Sequence, residues 1–133
     1  EVAILVHSIS DIERVADHAN NIAELVDYMK KKKLYFSRIA MEELRKIFDT
    51  TKESYIKAIQ VLDKKDEKLG QVVLDLEVTV DRMQRELEKN HYQRLKEGTC
   101  KPEVGPIYID IVRNLERISD HAHNIAYVTI IGF

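Results

Sequence analysis

Apolar residues recur every three or four positions along most of the chain, which places them on one face of an α-helix. This spacing predicts four long helices separated by short polar stretches. We expect the first helix from about Val2 to Lys31, and the second to begin at Ser37, a suitable N-terminal cap. Asp66 is expected to cap the third helix, and the fourth is expected to run to about Ile130.

Each predicted helix has one apolar seam, which we expect to face the core. On the first helix the arc centred on this seam also includes Ala16 and Ala23. The seams consist of Leu5, Ile9, Ile12, Val15, Ala19, Ile22 and Val26; Ala40, Leu44, Ile47, Phe48, Tyr55, Ile59 and Leu62; Leu69, Val72, Val73, Leu76, Val80, Met83 and Leu87; and Ile111, Leu115, Ile118, Ala122 and Ile125.

The clearest predicted loop is EGTCKPEVGP, residues 97–106. Gly98 can end a helix, and Pro102 and Pro106 prevent its continuation. No strand-like alternation or glycine-rich phosphate loop is evident. Since short connections join antiparallel neighbours, the predicted fold is all-α, an antiparallel up-and-down bundle of four long helices.

Composition narrows the function classes. The 133 residues are 44% hydrophobic and 33% charged, which is typical of a folded globular domain. A net charge of −2 provides no basic surface for nucleic acid, and the single cysteine is compatible with a reducing cytoplasm. No apolar run approaches the roughly 20 residues of a membrane span, so we expect no membrane insertion.

The chain opens in helical pattern without an initiator methionine, and we expect it to be a piece of a longer protein.

One eleven-residue block occurs twice, as ERVADHANNIA at 13–23 and ERISDHAHNIA at 116–126. Each copy places a glutamate four residues before an aspartate, which stacks two carboxylates one helical turn apart. Like charges at this spacing repel by a few tenths of a kcal/mol on a bare helix. Paired carboxylates suit a hard cation that takes oxygen ligands.

A third pair, Glu77 and Asp81, lies on the third predicted helix. In an antiparallel hairpin centred near residue 100, Asp81 lies about level with Asp120, and Glu77 lies about level with His123 or Asn124. The spacing therefore predicts a metal site formed by Glu77, Asp81, Glu116 and Asp120, with His123 at its edge. His18 and His121 project away from the carboxylates, and we expect them to flank the core.

Two alternatives remain open at this level. The acidic stripe can be a solvated face, paired with Arg14, Arg85 and Arg117, on a metal-free bundle that binds other proteins. A ferritin-like carboxylate-bridged metal oxidase is the other alternative. It requires Glu-x-x-His on two helices, and the chain has this motif once, at Glu88–His91.

The stretches IERVADHANNIA and LERISDHAHNIA resemble the signature of the PhoU family of phosphate-signalling proteins, which are built from tandem three-helix repeats. By this resemblance, residues 37–130 form one complete repeat and residues 1–31 form the third helix of a preceding repeat. The runs at 7–25 and 88–100 are similar to the PhoU-like domain at the cytoplasmic C-terminus of bacterial sodium/phosphate cotransporters.

The resemblance implies a non-catalytic regulatory domain that binds multinuclear metal ions, iron first, with zinc, manganese, magnesium or calcium as alternatives. It implies that the carboxylates at 77, 81, 116 and 120 form one complete site. Glu13 and Asp17 would form half of another, completed by helices absent from this chain. The implied partner is the membrane domain of a phosphate transporter, or a phosphate-signalling protein, at the inner face of the plasma membrane. A homodimer would cover the face that those helices leave open.

Overall fold

The computed structural model describes residues 1–132, and the elements in this range are helical. They are α1 (Val2–Lys32), α2 (Arg38–Lys64), α3 (Glu67–Glu97), a short 3-10 helix (Pro102–Val104) and α4 (Gly105–Ile131). No strand occurs within residues 1–132. The prediction of an all-α bundle with four long helices is confirmed.

The helix ends follow the capping chemistry expected from the sequence. The Ser37 hydroxyl accepts a hydrogen bond from the Ala40 N–H at 3.2 Å, and the Asp66 carboxylate accepts one from the Leu69 N–H at 3.1 Å. Gly98 ends α3 with a φ of 71°, a left-handed conformation that glycine adopts without a Cβ penalty. Local side-chain chemistry therefore sets where α2 and α3 begin and where α3 ends.

The predicted loop at 97–106 is too long. Glu97 still belongs to α3, and Gly105 and Pro106 already belong to the first turn of α4. Proline is accepted there because N–H groups in the first helical turn have no acceptor within the helix, so the missing N–H of proline loses no hydrogen bond. The fixed φ of proline also suits the helix. Pro106, which the sequence predicts to prevent continuation of the preceding helix, therefore lies in the first turn of the next.

α4 is the central helix, because α1, α2 and α3 each pack against it, while α2 also packs against α3. The predicted seam of α4 is buried along its whole length, as are nine further residues of the helix. None of the helices in residues 1–132 combines the length and apolar character needed to cross a bilayer.

The predicted buried face of α1 is wrong by a partial rotation of the helix. Leu5, Ile9 and Val26 are exposed, whereas Ser8 and Asp11 are buried. The exposed set also includes Ala16, Ala19 and Ala23. Apolar periodicity missed the correct face because part of the contact with α4 consists of polar side chains joined by hydrogen bonds.

Candidate metal centre

Three carboxylates from two helices converge on one patch of the bundle. Glu77 comes from α3, and Glu116 and Asp120 come from successive turns of α4. One oxygen of each lies within 4.8 Å of the others, and all three side chains are half-buried. Oxygen ligands of one hard cation lie at most about 5 Å apart, since each metal–oxygen distance is about 2.0 to 2.6 Å. We call these three residues the acidic triplet, and their donor set fits a hard cation.

Crowding of negative charge disfavours full ionisation of the acidic triplet. Burial, followed by a hydrogen bond with Asp120 and the charge of Asp120, raises the pKa of Glu77. Burial and the neighbouring carboxylate charges, with Asp120 first, raise the pKa of Glu116 to about 7. A proton near neutral pH therefore offsets part of the repulsion, and a bound cation would do the same more completely.

Asp81 lies beside the acidic triplet but is engaged elsewhere. Its charge helps to raise the pKa of both Glu77 and Glu116, so it is close enough to contribute to the local field. Its Oδ2 accepts a hydrogen bond from Arg85 at 2.7 Å, one turn along α3. As a metal ligand, Asp81 would either lose its hydrogen bond with Arg85 or bind Arg85 and the metal ion at the same time.

His123 lies at the edge of the patch. An imidazolium at this position opposes the rise in the pKa of Glu77 that burial and Asp120 produce. The imidazole stacks on Tyr127 with ring centroids 5.9 Å apart and planes within 12° of parallel. It is not within ligand distance of all three triplet oxygens. The role of His123 as a ligand stays a prediction.

In the first copy of the repeated block, no third metal-ligating side chain within residues 1–132 lies close to both carboxylates. Glu13 and Asp17 are exposed on α1. Within residues 1–132, the acidic triplet is the one group of histidine, cysteine, aspartate or glutamate side chains close enough to share an ion. The structure therefore does not bring Glu13 and Asp17 together with a third ligand, and the half-site stays a prediction.

The two copies pack against each other through matched hydrogen bonds. His121 Nδ1 donates to Asp11 at 2.9 Å, and His18 Nδ1 donates to Asn114 at 3.1 Å. The imidazoles of His18 and His121 stack between these bonds, with centroids 5.4 Å apart. The two histidines are 103 positions apart, as are their partners Asp11 and Asn114, so the two bonds correspond under the repeat offset. α1 and α4 therefore cross about a local pseudo-two-fold axis. Sequence reasoning missed Asp11 and Asn114, although their matching offset is a signal that could have found them.

The one Glu-x-x-His motif that the ferritin-like alternative could use, Glu88–His91, makes other contacts in the bundle. Glu88 accepts a hydrogen bond from Arg113 at 2.9 Å, and the buried His91 ring stacks on Tyr108 at 4.4 Å. Neither belongs to the acidic triplet. The chain does not place two Glu-x-x-His motifs around a common centre, so the geometry gives this alternative no support.

Comparison with known proteins agrees with the resemblance carried by the repeated block. A family model described as the PhoU domain matches residues 44–129. This range contains the whole acidic triplet. No solved structure gives a significant match.

Two curated proteins are similar over most of the chain. The phosphate-specific transport system accessory protein PhoU homolog 1 of Thermotoga maritima is 29% identical over 116 residues, which cover 87% of this chain and 49% of the relative. The phosphate-specific transport system accessory protein PhoU homolog of a Synechocystis species is 25% identical over 126 residues, covering 94% and 54% respectively. The chain thus spans about half the length of these relatives.

Proposed function

The chain belongs to the PhoU domain family, and from this premise we propose that it is a non-catalytic, metal-binding regulatory domain in phosphate uptake. Both curated relatives are named as accessory proteins of phosphate-specific transport systems. The proposed role is to restrain or report on a phosphate transporter at the cytoplasmic face of the membrane. Its partner is either the transporter itself or a phosphate-signalling protein.

The convergence of Glu77, Glu116 and Asp120 within 4.8 Å is the observation that carries the metal proposal. A cation held there would supply positive charge between α3 and α4 and so stabilise their contact. Asp81 and His123 lie close enough to respond to the same ion. The resemblance favours iron, and the oxygen-rich donor set also accommodates manganese, magnesium or calcium.

A metal-free interaction bundle is the second candidate function. Two contacts favour it: Arg85 already neutralises Asp81, and Glu77 shares a hydrogen bond with Asp120. In that case the proton between Glu77 and Asp120 and the ion pair between Arg85 and Asp81 offset the repulsion among the carboxylates. The domain would then act through its protein contacts alone.

Elemental mass spectrometry of the purified domain, together with its melting temperature before and after chelation, separates the two candidates. Metal binding predicts at least one equivalent of cation per chain. It also predicts a lower melting temperature after chelation, because a ligand bound only by the folded state stabilises it. At a ligand concentration of 100 times Kd the stabilisation is about 2.7 kcal/mol. Absence of metal, with no effect of chelation or of added cation, would favour the metal-free bundle.

A further inference from the structure

The connection between α1 and α2 contains the longest run of like charge in the chain. Between Asp27 and Glu42 the sequence has five cations and no carboxylate, although the whole chain has a net charge of −2. The five are Lys30–Lys33, which we call the lysine run, and Arg38, and all of them are exposed. The dipole of a helix amounts to about half a negative charge at its C-terminus, so the lysine run exceeds what the end of α1 can offset.

The chain itself neutralises few of these charges. Lys31 pairs with Asp27 at 3.0 Å and Arg38 pairs with Glu42 at 3.1 Å, and all four side chains are 60% exposed or more. Exposed ion pairs of this kind contribute little free energy, so both cations can exchange their partners readily. The other three lysines form no ion pair within residues 1–132. This surface therefore offers its positive charge to a ligand.

The segment after the lysine run holds one aromatic side chain outward. Leu34 and Phe36 are partly buried against the core, and the Phe36 ring meets Tyr108 edge-on with centroids 5.7 Å apart. Tyr35 lies between them and is 78% exposed, and Ile39 in the first turn of α2 is 62% exposed. Tyrosine and lysine together suit the headgroup region of a bilayer, because their apolar parts contact the acyl boundary while the hydroxyl and ammonium groups stay hydrated.

The lysine run lies beyond the part of α1 that further helices of the same repeat would cover. On α4, packing against α3 reaches Ile130, which lies against Gly70, while Ile131 is already 64% exposed. Under the repeat offset of 103 positions, Ile131 corresponds to Tyr28 of α1. Helices that pack on α1 as α2 and α3 pack on α4 would therefore end their contact before Lys30. The lysine run would stay exposed at the end of the bundle.

We propose that this end of the bundle binds the anionic surface of a lipid bilayer. The lysine run would face the phosphate headgroups, and Tyr35 would enter the interface beside them, so the domain would lie on the membrane without crossing it. The connection between α3 and α4 is at the same end and adds Lys101 and Glu103, which leaves the net charge of this end unchanged.

A lipid surface fits these features better than a nucleic acid does. Exposed aromatic and aliphatic side chains accompany the cations, and the rest of the chain has an excess of negative charge that would repel a long polyanion. The acidic triplet is not part of this surface. The inference therefore rests on neither the metal nor the phosphate role.

Sedimentation with lipid vesicles tests the charge requirement. Vesicles that contain phosphatidylglycerol and phosphatidylcholine are compared with vesicles of phosphatidylcholine alone. Chelator is present throughout, so that no metal ion can bridge the acidic triplet to lipid phosphate. The chain is expected to bind the anionic vesicles at least about tenfold more tightly, with the difference shrinking at high salt because salt screens surface charges. Equal binding to the two kinds of vesicle, or no binding to either, would overturn the proposal.

Two lysine pairs at opposite ends of the bundle provide matched variants. Lys32 is the last residue of α1 and Lys33 is its left-handed C-cap. Lys64 and Lys65 hold the same two positions on α2, and Lys65 pairs with Glu1 at the other end of α1. Replacing both lysines of the α1 pair with glutamine is expected to weaken vesicle binding at least about tenfold. The same replacement in the α2 pair should leave binding unchanged, and an equal loss in both would show that binding follows total charge instead of this surface.

A tryptophan probe tests the position of Tyr35 on the membrane. The chain has no tryptophan, so a single one reports only its own surroundings. In Tyr35→Trp the emission is expected to shift to shorter wavelength on anionic vesicles. Ile56→Trp, at a 46% exposed position in the C-terminal half of α2, should show no shift. No shift in Tyr35→Trp, or a shift in both variants, would contradict the proposed orientation.

A fluorescent oligonucleotide covers the other polyanionic partner. The proposal expects the chain to bind the vesicles and not the oligonucleotide under the same salt conditions. Oligonucleotide binding that Lys32→Gln with Lys33→Gln abolishes, without vesicle binding, would assign the lysine run to a nucleic acid and overturn the proposal.

Discussion

The two copies of the repeated block carry the same pair of carboxylates in different surroundings. On α4, Glu116 and Asp120 lie beside α3, which contributes Glu77 and completes the acidic triplet. On α1, Glu13 and Asp17 face away from the bundle and remain exposed. The repeated motif thus supplies two carboxylates, and the neighbouring helix decides whether a third lies beside them.

The packing between the copies, in contrast, is nearly the same for both. His121 binds Asp11, and His18 binds Asn114 at the matching position. The same block therefore serves two purposes on two faces of a helix. The histidine face joins α1 to α4, and the carboxylate face lies beside α3 in the α4 copy but is exposed in the α1 copy.

Removing the two carboxylates of each copy should have the largest and most unequal effect. Glu116→Ala with Asp120→Ala is expected to abolish metal binding, because a single triplet carboxylate remains. Glu13→Ala with Asp17→Ala is the matched control, and it should leave the metal content of this chain unchanged. Elemental mass spectrometry of both double variants makes the comparison. Equal metal loss in the two would contradict the assignment of the site to α3 and α4.

Two aspartates on α1 offer a second comparison, between its buried and exposed faces. Asp11 is 3% exposed and accepts the hydrogen bond of His121. Asp11→Ala is expected to lower the free energy of unfolding by about 1 to 3 kcal/mol, since it leaves a largely buried imidazole N–H without its acceptor. Asp17→Ala should change it by less than about 0.5 kcal/mol. Urea unfolding measures both, and similar losses would show that the two faces are equivalent.

The contribution of Glu116 to the stability of the metal-free protein should fall as pH rises from about 4.5 to about 7. Glu116 has a folded-state pKa of about 7 against an ordinary value of 4.5, because burial and Asp120 disfavour its charged form. The folded state therefore binds more protons than the unfolded state in this window, so raising the pH favours unfolding. Urea unfolding of chelated protein across this range measures the fall. The free energy of unfolding of the unaltered chain should therefore decrease relative to that of Glu116→Gln over this window, but not relative to that of Glu13→Gln. A difference from Glu116→Gln that stays constant or grows with pH would contradict the charge crowding.

The smallest expected effect concerns the ion pair beside the acidic triplet. Arg85 and Asp81 are both more than a third exposed, so Arg85→Ala should change the free energy of unfolding by less than about 1 kcal/mol. The same variant frees Asp81, and calorimetric titration should show tighter metal binding. Arg82→Ala, which removes a longer pair with Glu86 at 3.9 Å, is the control. Weaker metal binding in Arg85→Ala would show that Arg85 supports the site instead of competing for Asp81.

Much of the fold was predictable because its determinants are local in sequence. Helical periodicity gave the four helices and the buried seam of α4. Side-chain capping gave the starts of α2 and α3, and a glycine gave the end of α3. The loop before α4 was less predictable, because Pro106 is compatible with both the end of one helix and the start of another.

By itself, the sequence determined the all-α class and the carboxylate pairs, since each depends on residues within a few turns of one another. The duplication is likewise a property of the sequence itself, because the two copies share most of their residues. Tertiary structure alone decided which face of α1 is buried, because Asp11 and His18 pack through hydrogen bonds that apolar periodicity does not register. The hairpin register predicted that Glu77 approaches Glu116 and Asp120, but only the tertiary structure decided that Asp81 pairs with Arg85 instead of joining them. The reason is physical: a helix fixes its own spacing, but only its neighbours fix what lies opposite each face.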